Sequence, residues 1–77
     1  MNKQNRKDLQ EALDLINKAA EIISAVKEEE EEKYDNLPEG IQDSEKGERF
    51  QENIDNLDYA VSDIESVVEY VENVINQ

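Results

Sequence analysis

An unbroken heptad pattern of apolar residues runs through the second half of the chain and constrains its fold more than any other feature. These residues, alternately four and three positions apart, are Phe50, Ile54, Leu57, Val61, Ile64, Val68, Val71 and Ile75. Such spacing is typical of a helix that packs along a neighbouring helix. A second line, seven residues apart, consists of Ala60, Val67 and Val74. The apolar face is therefore wider than a two-stranded coiled coil needs, which favours a four-helix bundle.

The first half of the chain repeats this pattern less strictly. Steps of three and four residues connect Leu9, Ala12, Ile16, Ala19, Ile23 and Val26. The neighbours that widen this face are Leu13, Leu15, Ala20, Ile22 and Ala25. We therefore predict a first helix over about residues 4–36, with the alanines at points where another helix approaches closely.

The segment between the two patterns carries the signals of a helix end followed by a helix start. Pro38 disfavours the helical conformation at Leu37, so the first helix should end near Asn36. Ser44 or Asp43 is suited to cap the second helix. The sequence therefore predicts a loop over residues 37–43 and a second helix over about residues 44–76.

Gly47 lies inside the first turns of the second helix, where glycine costs about 1 kcal/mol relative to alanine. Its presence predicts that another stretch of backbone passes close to this position. Nearby, Leu37, Ile41 and Phe50 are expected to form a small apolar plug over the loop end.

Two helices of similar length with a short connection predict an all-α, antiparallel, coiled-coil-like hairpin, and residues 1–77 form one domain. A hairpin alone covers only part of each stripe, so we expect it to dimerise into a four-helix bundle. The residues expected in the oligomer core are Ile16, Ile23, Ile54, Leu57, Val61, Ile64, Val68 and Val71.

The charges also suit antiparallel pairing. Such pairing places Arg6 and Lys7 beside Glu69 and Glu72 and beside the negative end of the second helix. At the other end, it places the glutamate run 28–32 near the positive end of the second helix. Lys46 and Arg49 lie in that same region.

Composition excludes several classes of function. The 77 residues include no Cys and no His, so disulfides and thiolate or imidazole metal sites cannot form, and we expect no cofactor. The formal net charge of −13 disfavours direct contact with nucleic acid or an anionic membrane. No apolar run is long enough for a membrane span, and no apolar segment of a signal peptide follows the basic N-terminus, so a cytoplasmic location is expected.

One enzymatic interpretation remains open. All-α nucleotide pyrophosphatases hold Mg²⁺ between a Glu-x-x-Glu pair on one helix and a Glu-x-x-Asp pair on the next. Glu28 and Glu31 match the first pair, and Glu52 and Asp55 match the second. Five consecutive glutamates match almost any such pattern, and no basic residue follows Arg49 to bind a triphosphate. We therefore favour a solvated acidic run and a protein that is not an enzyme, with no catalytic residues.

The second arm is a candidate surface for binding another protein. After Arg49 it contains seven carboxylates and no basic residue. The residues predicted to contact a partner are Asp55, Asp58, Glu65, Glu69 and Glu72. Regularly spaced carboxylates on a rod can imitate the charge of DNA towards a protein that binds nucleic acid. Such a surface can also serve only to keep a small helical protein soluble.

The segments 34–48 and 53–60 resemble a family of short phage and prophage proteins. The first reads Y-D-N-L-P-E-G-I-Q-D-S-E-K-G-E and the second N-I-D-N-L-D-Y-A. Members of that family carry a glutamate-rich first helix, a D-N-L/M-P-E-x-L-Q-x-S-E-K/R-G-E loop and an acidic heptad helix. Ile41 stands where the family more often has Leu.

This resemblance implies a phage or mobile-element origin and carries over no catalytic residue. We therefore expect stoichiometric binding to a host protein, such as a defence protein or a nucleic-acid-handling protein, in the host cytoplasm. A structural or oligomeric phage protein without a host target is the first alternative. A Mg²⁺-dependent nucleotide pyrophosphatase is the second.

Overall fold

The computed structural model describes residues 1–77 as two long helices joined by a short one. Helix α1 spans Lys3–Asp35, α2 spans Glu39–Gln42 and α3 spans Glu45–Ile75, and there is no strand. The two long helices pack side by side in a rod of 58 × 15 × 13 Å, and neither has an apolar stretch long enough to cross a bilayer. The prediction of an all-α hairpin is confirmed.

Helix α1 has well-defined ends. The side chain of Asn2 accepts a hydrogen bond of 2.7 Å from the backbone N–H of Asn5 and so caps the first turn. At the other end Asn36 is the C-cap, two residues before Pro38. Both limits lie one residue from the predicted span of 4–36. Asn2 sets the start of the helix, and Pro38 disfavours the helical conformation at Leu37 beyond its end.

The connection between the long helices contains a helical turn that the sequence did not predict. Instead of an irregular loop over residues 37–43, α2 begins after Pro38, which occupies the N-cap position. The side-chain amide of Gln42 donates a 3.0 Å hydrogen bond to the carbonyl oxygen of Tyr34, which ties α2 to the end of α1. Leu37 and Phe50 are half-buried, whereas Ile41 is exposed, so only two of the three predicted plug residues are shielded.

Ser44 is the N-cap residue of α3, as expected, but its side chain does not cap the helix. Its hydroxyl donates instead to the carbonyl oxygen of Ile41. Gly47 is buried because the backbone of Gln42 crosses this turn, and a Cβ on Gly47 would lie 1.9 Å from the carbonyl oxygen of Gln42. The predicted close approach of a second backbone at Gly47 is confirmed.

The core is a narrow line between α1 and α3, and only Leu13 and Ile54 are fully buried apolar residues. On α1, the residues turned towards α3 lie four and three positions apart, and we call this line the α1 seam. It consists of Leu9, Leu13, Ile16, Ala20, Ile23, Lys27, Glu30 and Tyr34, all buried or half-buried.

The α1 seam differs from the line predicted from sequence. Ala19 and Val26, expected to face the second helix, are exposed. Two apolar lines overlap on α1 and share Leu9, Ile16 and Ile23, so the spacing alone does not choose between them. Burial of Leu13 removes more apolar surface from water than burial of Ala12, which favours the observed rotation.

Candidate protein-binding surface

An open groove of about 680 Å³ runs between α1 and α3 on one side of the hairpin. Apolar side chains along it include Ala20, Val61, Ile64 and Val68. Its carboxylates come from both helices: Glu21, Glu28 and Glu65. We call this feature the acidic groove, because it combines an apolar lining with negative charges and has no basic residue among its lining side chains.

Most of the predicted partner-binding residues lie on the same side of α3 as the acidic groove. Glu65 lines the groove itself. Asp58 and Glu72 are seven residues before and after it, and so lie on the same helical line. Asp55 and Glu69 lie beside that line, and all five side chains are exposed. The structure therefore places Asp58, Glu65, Glu69 and Glu72 along the groove side of α3, whereas Asp55 lies further round, on the surface that points away from α1.

One of these carboxylates is already paired within the chain. The Nζ atom of Lys27 lies 2.8 Å from Oδ1 of Asp58 and 3.5 Å from Oε1 of Glu31. The hydrogen bond to Asp58 raises the pKa of Lys27 above its usual 10.5, with smaller contributions from the charges of Asp58 and Glu31, against some desolvation. This ion pair joins α1 to α3, and it leaves Asp58 less available to a partner than Glu65.

The other predicted contacts between charges form only in part. Nη2 of Arg6 donates a 2.9 Å hydrogen bond to the backbone oxygen of Gln77, which confirms that it lies at the negative end of the second long helix. Arg6 forms no ion pair with Glu69 or Glu72.

The basic residues near the loop pair within their own helices. Lys33 pairs with Glu30, and Arg49 pairs with Glu45. Neither Lys46 nor Arg49, placed by the sequence in the region of the 28–32 run, forms an ion pair with that run. Neighbours one turn away are reached with less loss of side-chain freedom than residues across the hairpin.

The carboxylates of the pyrophosphatase pattern do not converge. Glu28 lines the acidic groove, and Glu31 is paired with Lys27. Glu52 and Asp55 are exposed on the surface of α3 that points away from α1, as their spacing from Ile54 and Leu57 requires. No group of three or more Asp or Glu side chains is placed to hold a metal ion.

The residues predicted to form an oligomer core are covered within a single chain. Ile54 is buried and the others are half-buried where α1 packs on α3: Ile16, Ile23, Leu57, Val61, Ile64, Val68 and Val71. Packing within the hairpin therefore covers this set in part, and its place in an oligomer core stays a prediction.

The contribution of α1 to the acidic groove is absent from the sequence-based prediction, which places the binding surface on the second arm alone. A signal for it exists in the sequence. Acidic residues recur every seven positions on the first arm, at Asp14, Glu21, Glu28 and Asp35. The line through Asp58, Glu65 and Glu72 has the same period, so both helices present a carboxylate stripe beside an apolar one.

No family model, curated protein or solved structure matches this chain. The resemblance of its loop to phage proteins therefore stays a prediction. We therefore infer a function from the geometry and charge of the hairpin itself.

Proposed function

We propose that this chain is a stoichiometric binding protein that attaches to a basic surface of another protein through the acidic groove and the α3 carboxylates beside it. The observation that carries this proposal is the acidic groove, where an apolar lining and carboxylates from both helices share one surface. Opposite charges on two surfaces accelerate their encounter and set their specificity. Apolar contacts in the groove would add affinity that charge alone does not supply.

The carboxylates on α3 are too widely spaced to imitate duplex DNA fully. Their spacing favours a partner that places a basic segment in the acidic groove. Asp55 to Glu72 covers roughly 26 Å of helix axis at about 1.5 Å per residue. Duplex DNA carries about 15 phosphates over such a length. The five predicted α3 contacts provide far fewer, and Lys27 partly neutralises one of them. An amphipathic helix with basic and apolar faces is the partner that this surface suits best.

We infer the class of target from the resemblance of the loop to phage proteins. A phage-encoded protein of this kind would act on a host protein, and proteins that handle nucleic acid or defend against phage carry basic surfaces. We therefore expect the chain to inhibit its target by occupying such a surface. One chain or one assembly would bind each target, without catalysis.

The test is a set of binding assays with host lysate at low and high salt, using the protein and two charge-reversal variants. The first variant, Glu65→Lys/Glu69→Lys/Glu72→Lys, reverses three charges at the groove side of α3. The matched control, Glu11→Lys/Glu29→Lys/Glu52→Lys, reverses three exposed carboxylates on the outer surfaces of the two helices. Both variants change the net charge equally.

We expect a target that is captured at low salt, released at high salt, retained by the control variant and lost by the groove variant. Circular dichroism checks that both variants keep the helical content of the parent. Equal capture by the two variants would show that net charge alone attracts the target, and would reject the groove as the binding site.

A further inference from the structure

The side of the hairpin away from the acidic groove exposes a set of large apolar side chains. We call it the apolar face. Helix α1 contributes Leu15, Ala19, Ile22 and Val26, and α3 contributes Ala60, Val67 and Val74. Leu15 and Ile22 are 65% and 58% exposed, and Val26, Val67 and Val74 are each more than one-third exposed. Isolated exposed apolar residues are common, but a contiguous set marks an interaction surface.

Helical geometry places the two contributing lines on one side. The line on α1 is rotated about 100° from the α1 seam, and Ala60, Val67 and Val74 are rotated by a similar angle from the α3 heptad line. Because the helices are antiparallel, both rotations lead to the same side of the hairpin. Val26 confirms this, because it lines a second groove together with Asn56 and Leu57 and does not line the acidic groove.

The hairpin has a larger accessible area than a compact monomer of the same mass. Its 77 residues expose 5942 Å². A compact monomer of 8.9 kDa exposes about 4,800 Å² by the usual scaling of surface with mass. The excess, roughly 1,100 Å², follows from the rod shape of 58 × 15 × 13 Å. Side-by-side contact with a second rod would reduce it, since each partner in a standard protein interface buries ~800 Å².

Charge selects this side for a contact between two copies. The only charged residue in the groove beside Val26 is Glu30, which is paired with Lys33, whereas three carboxylates without a basic residue line the acidic groove. On the opposite side, a second copy would bring Glu21, Glu28 and Glu65 towards their own equivalents, and like charges across an interface repel. Contact through the apolar face keeps the two acidic grooves on the outside and apart, which matters for a chain with a net charge of −13.

We propose that a second copy of this chain covers the apolar face, so that two hairpins form a four-helix bundle with an acidic groove on each outer side. The contact is isologous, since both copies contribute the same residues. Its centre is formed by Leu15, Ile22 and Val67, which the hairpin itself leaves in water. This interface is distinct from the covered line of Ile54, Leu57 and Val61 within one chain. It also stands independently of the proposed protein target.

Sedimentation equilibrium of the full chain over a wide concentration range tests the proposal. We expect a mass of twice 8.9 kDa for the parent protein. The variant Ile22→Glu/Val67→Glu adds two charges to the apolar face and should sediment as a single chain. The control Gln10→Glu/Ser62→Glu adds two charges at exposed positions outside the face and should remain dimeric.

The mass of the parent protein tests the proposal even if the variant does not fold. A single-chain mass at high concentration would show that no second copy binds. A dimer that persists in Ile22→Glu/Val67→Glu would show that the copies meet on another surface. We also expect the parent protein to lose helicity on dilution, as measured by circular dichroism. Dilution separates the two copies, and the single hairpin has a very small core.

Discussion

At the scale of single residues, Gly47 shows most directly how one side chain decides a local structure. By helix propensity alone, alanine would be more stable than glycine at this position, because glycine is the poorer helix former. In the structure, the backbone of Gln42 occupies the space that a Cβ would need. Gly40, the other glycine of the chain, has no atom within 4 Å of the corresponding position. The two glycines therefore form a matched pair for separating backbone entropy from steric contact.

We expect Gly47→Ala to lower the free energy of unfolding by about 1–3 kcal/mol, because α2 must move away from α3 to admit the methyl group. Gly40→Ala should raise the free energy of unfolding by at most roughly 0.5–1 kcal/mol, because alanine makes the unfolded chain less flexible. Urea denaturation at one fixed protein concentration measures both. If Gly47→Ala proves as stable as Gly40→Ala, the close crossing of Gln42 over α3 is wrong.

At the scale of the elements, α1 and α3 are held together by a short apolar line and one ion pair. Leu13 and Ile54 are the only fully buried apolar side chains. Towards the loop, the α1 seam becomes polar at Lys27 and Glu30. There Lys27 pairs with Asp58 across the two helices, at the edge of the apolar contact that Ile54 makes. The side chain of Lys27 is 26% exposed and that of Asp58 is 60% exposed. The α1 side of the contact between the two helices is therefore apolar far from the loop and partly polar near it.

The raised pKa of Lys27 connects this contact to pH. A base whose pKa is higher in the folded state stabilises the fold fully below its unfolded value of 10.5. That stabilisation disappears as the pH rises through the higher folded value. We expect Asp58→Asn to lower the pKa of Lys27, because Asp58 supplies the largest contribution to the shift.

An NMR titration of the Lys27 side chain measures this pKa directly. Asp63→Asn is the matched control, because it removes one exposed carboxylate from the same helix without touching Lys27. In the control variant, the pKa of Lys27 should stay nearly as high as in the parent protein. Equal pKa values in the two variants would mean that the general negative field, rather than the bond to Asp58, raises the pKa.

At the scale of the whole molecule, repulsion among carboxylates opposes the fold. The chain has 21 acidic and 8 basic residues on a rod of 58 × 15 × 13 Å. Only four ion pairs form, and one of them crosses between helices. Most carboxylates therefore repel one another without compensation, and surface pairs contribute little to stability.

We therefore expect sodium chloride to stabilise the protein. Raising the salt concentration from about 0.01 M to about 1 M shortens the Debye length from roughly 30 Å to roughly 3 Å, which screens the repulsion. The melting temperature, followed by circular dichroism, should rise over this range. The variant Glu21→Gln/Glu28→Gln/Glu65→Gln has fewer like charges and should show a smaller rise. A fall in the parent's melting temperature would mean that attractive pairs dominate.

Local patterns in the sequence determined the two long helices of this protein, although not the short helix α2 between them. The heptad of α3, the proline after α1 and the buried Gly47 act over a few residues, so their consequences follow from spacing and backbone geometry. The all-α hairpin, its helix limits within a residue and the crossing at Gly47 are all predictable in this way. The acidic character of the second arm is equally local.

Only the tertiary structure decided which side each apolar line occupies. On α1, Ala12, Ala19 and Val26 compete with Leu13 and Ala20 for the contact with α3, and spacing does not distinguish them. The rotation of α1 that buries Leu13 leaves Leu15 and Ile22 in water and brings Glu21 and Glu28 beside Glu65. The division into an acidic groove and an apolar face arises from that rotation, because the free energy of packing two helices depends on both surfaces together.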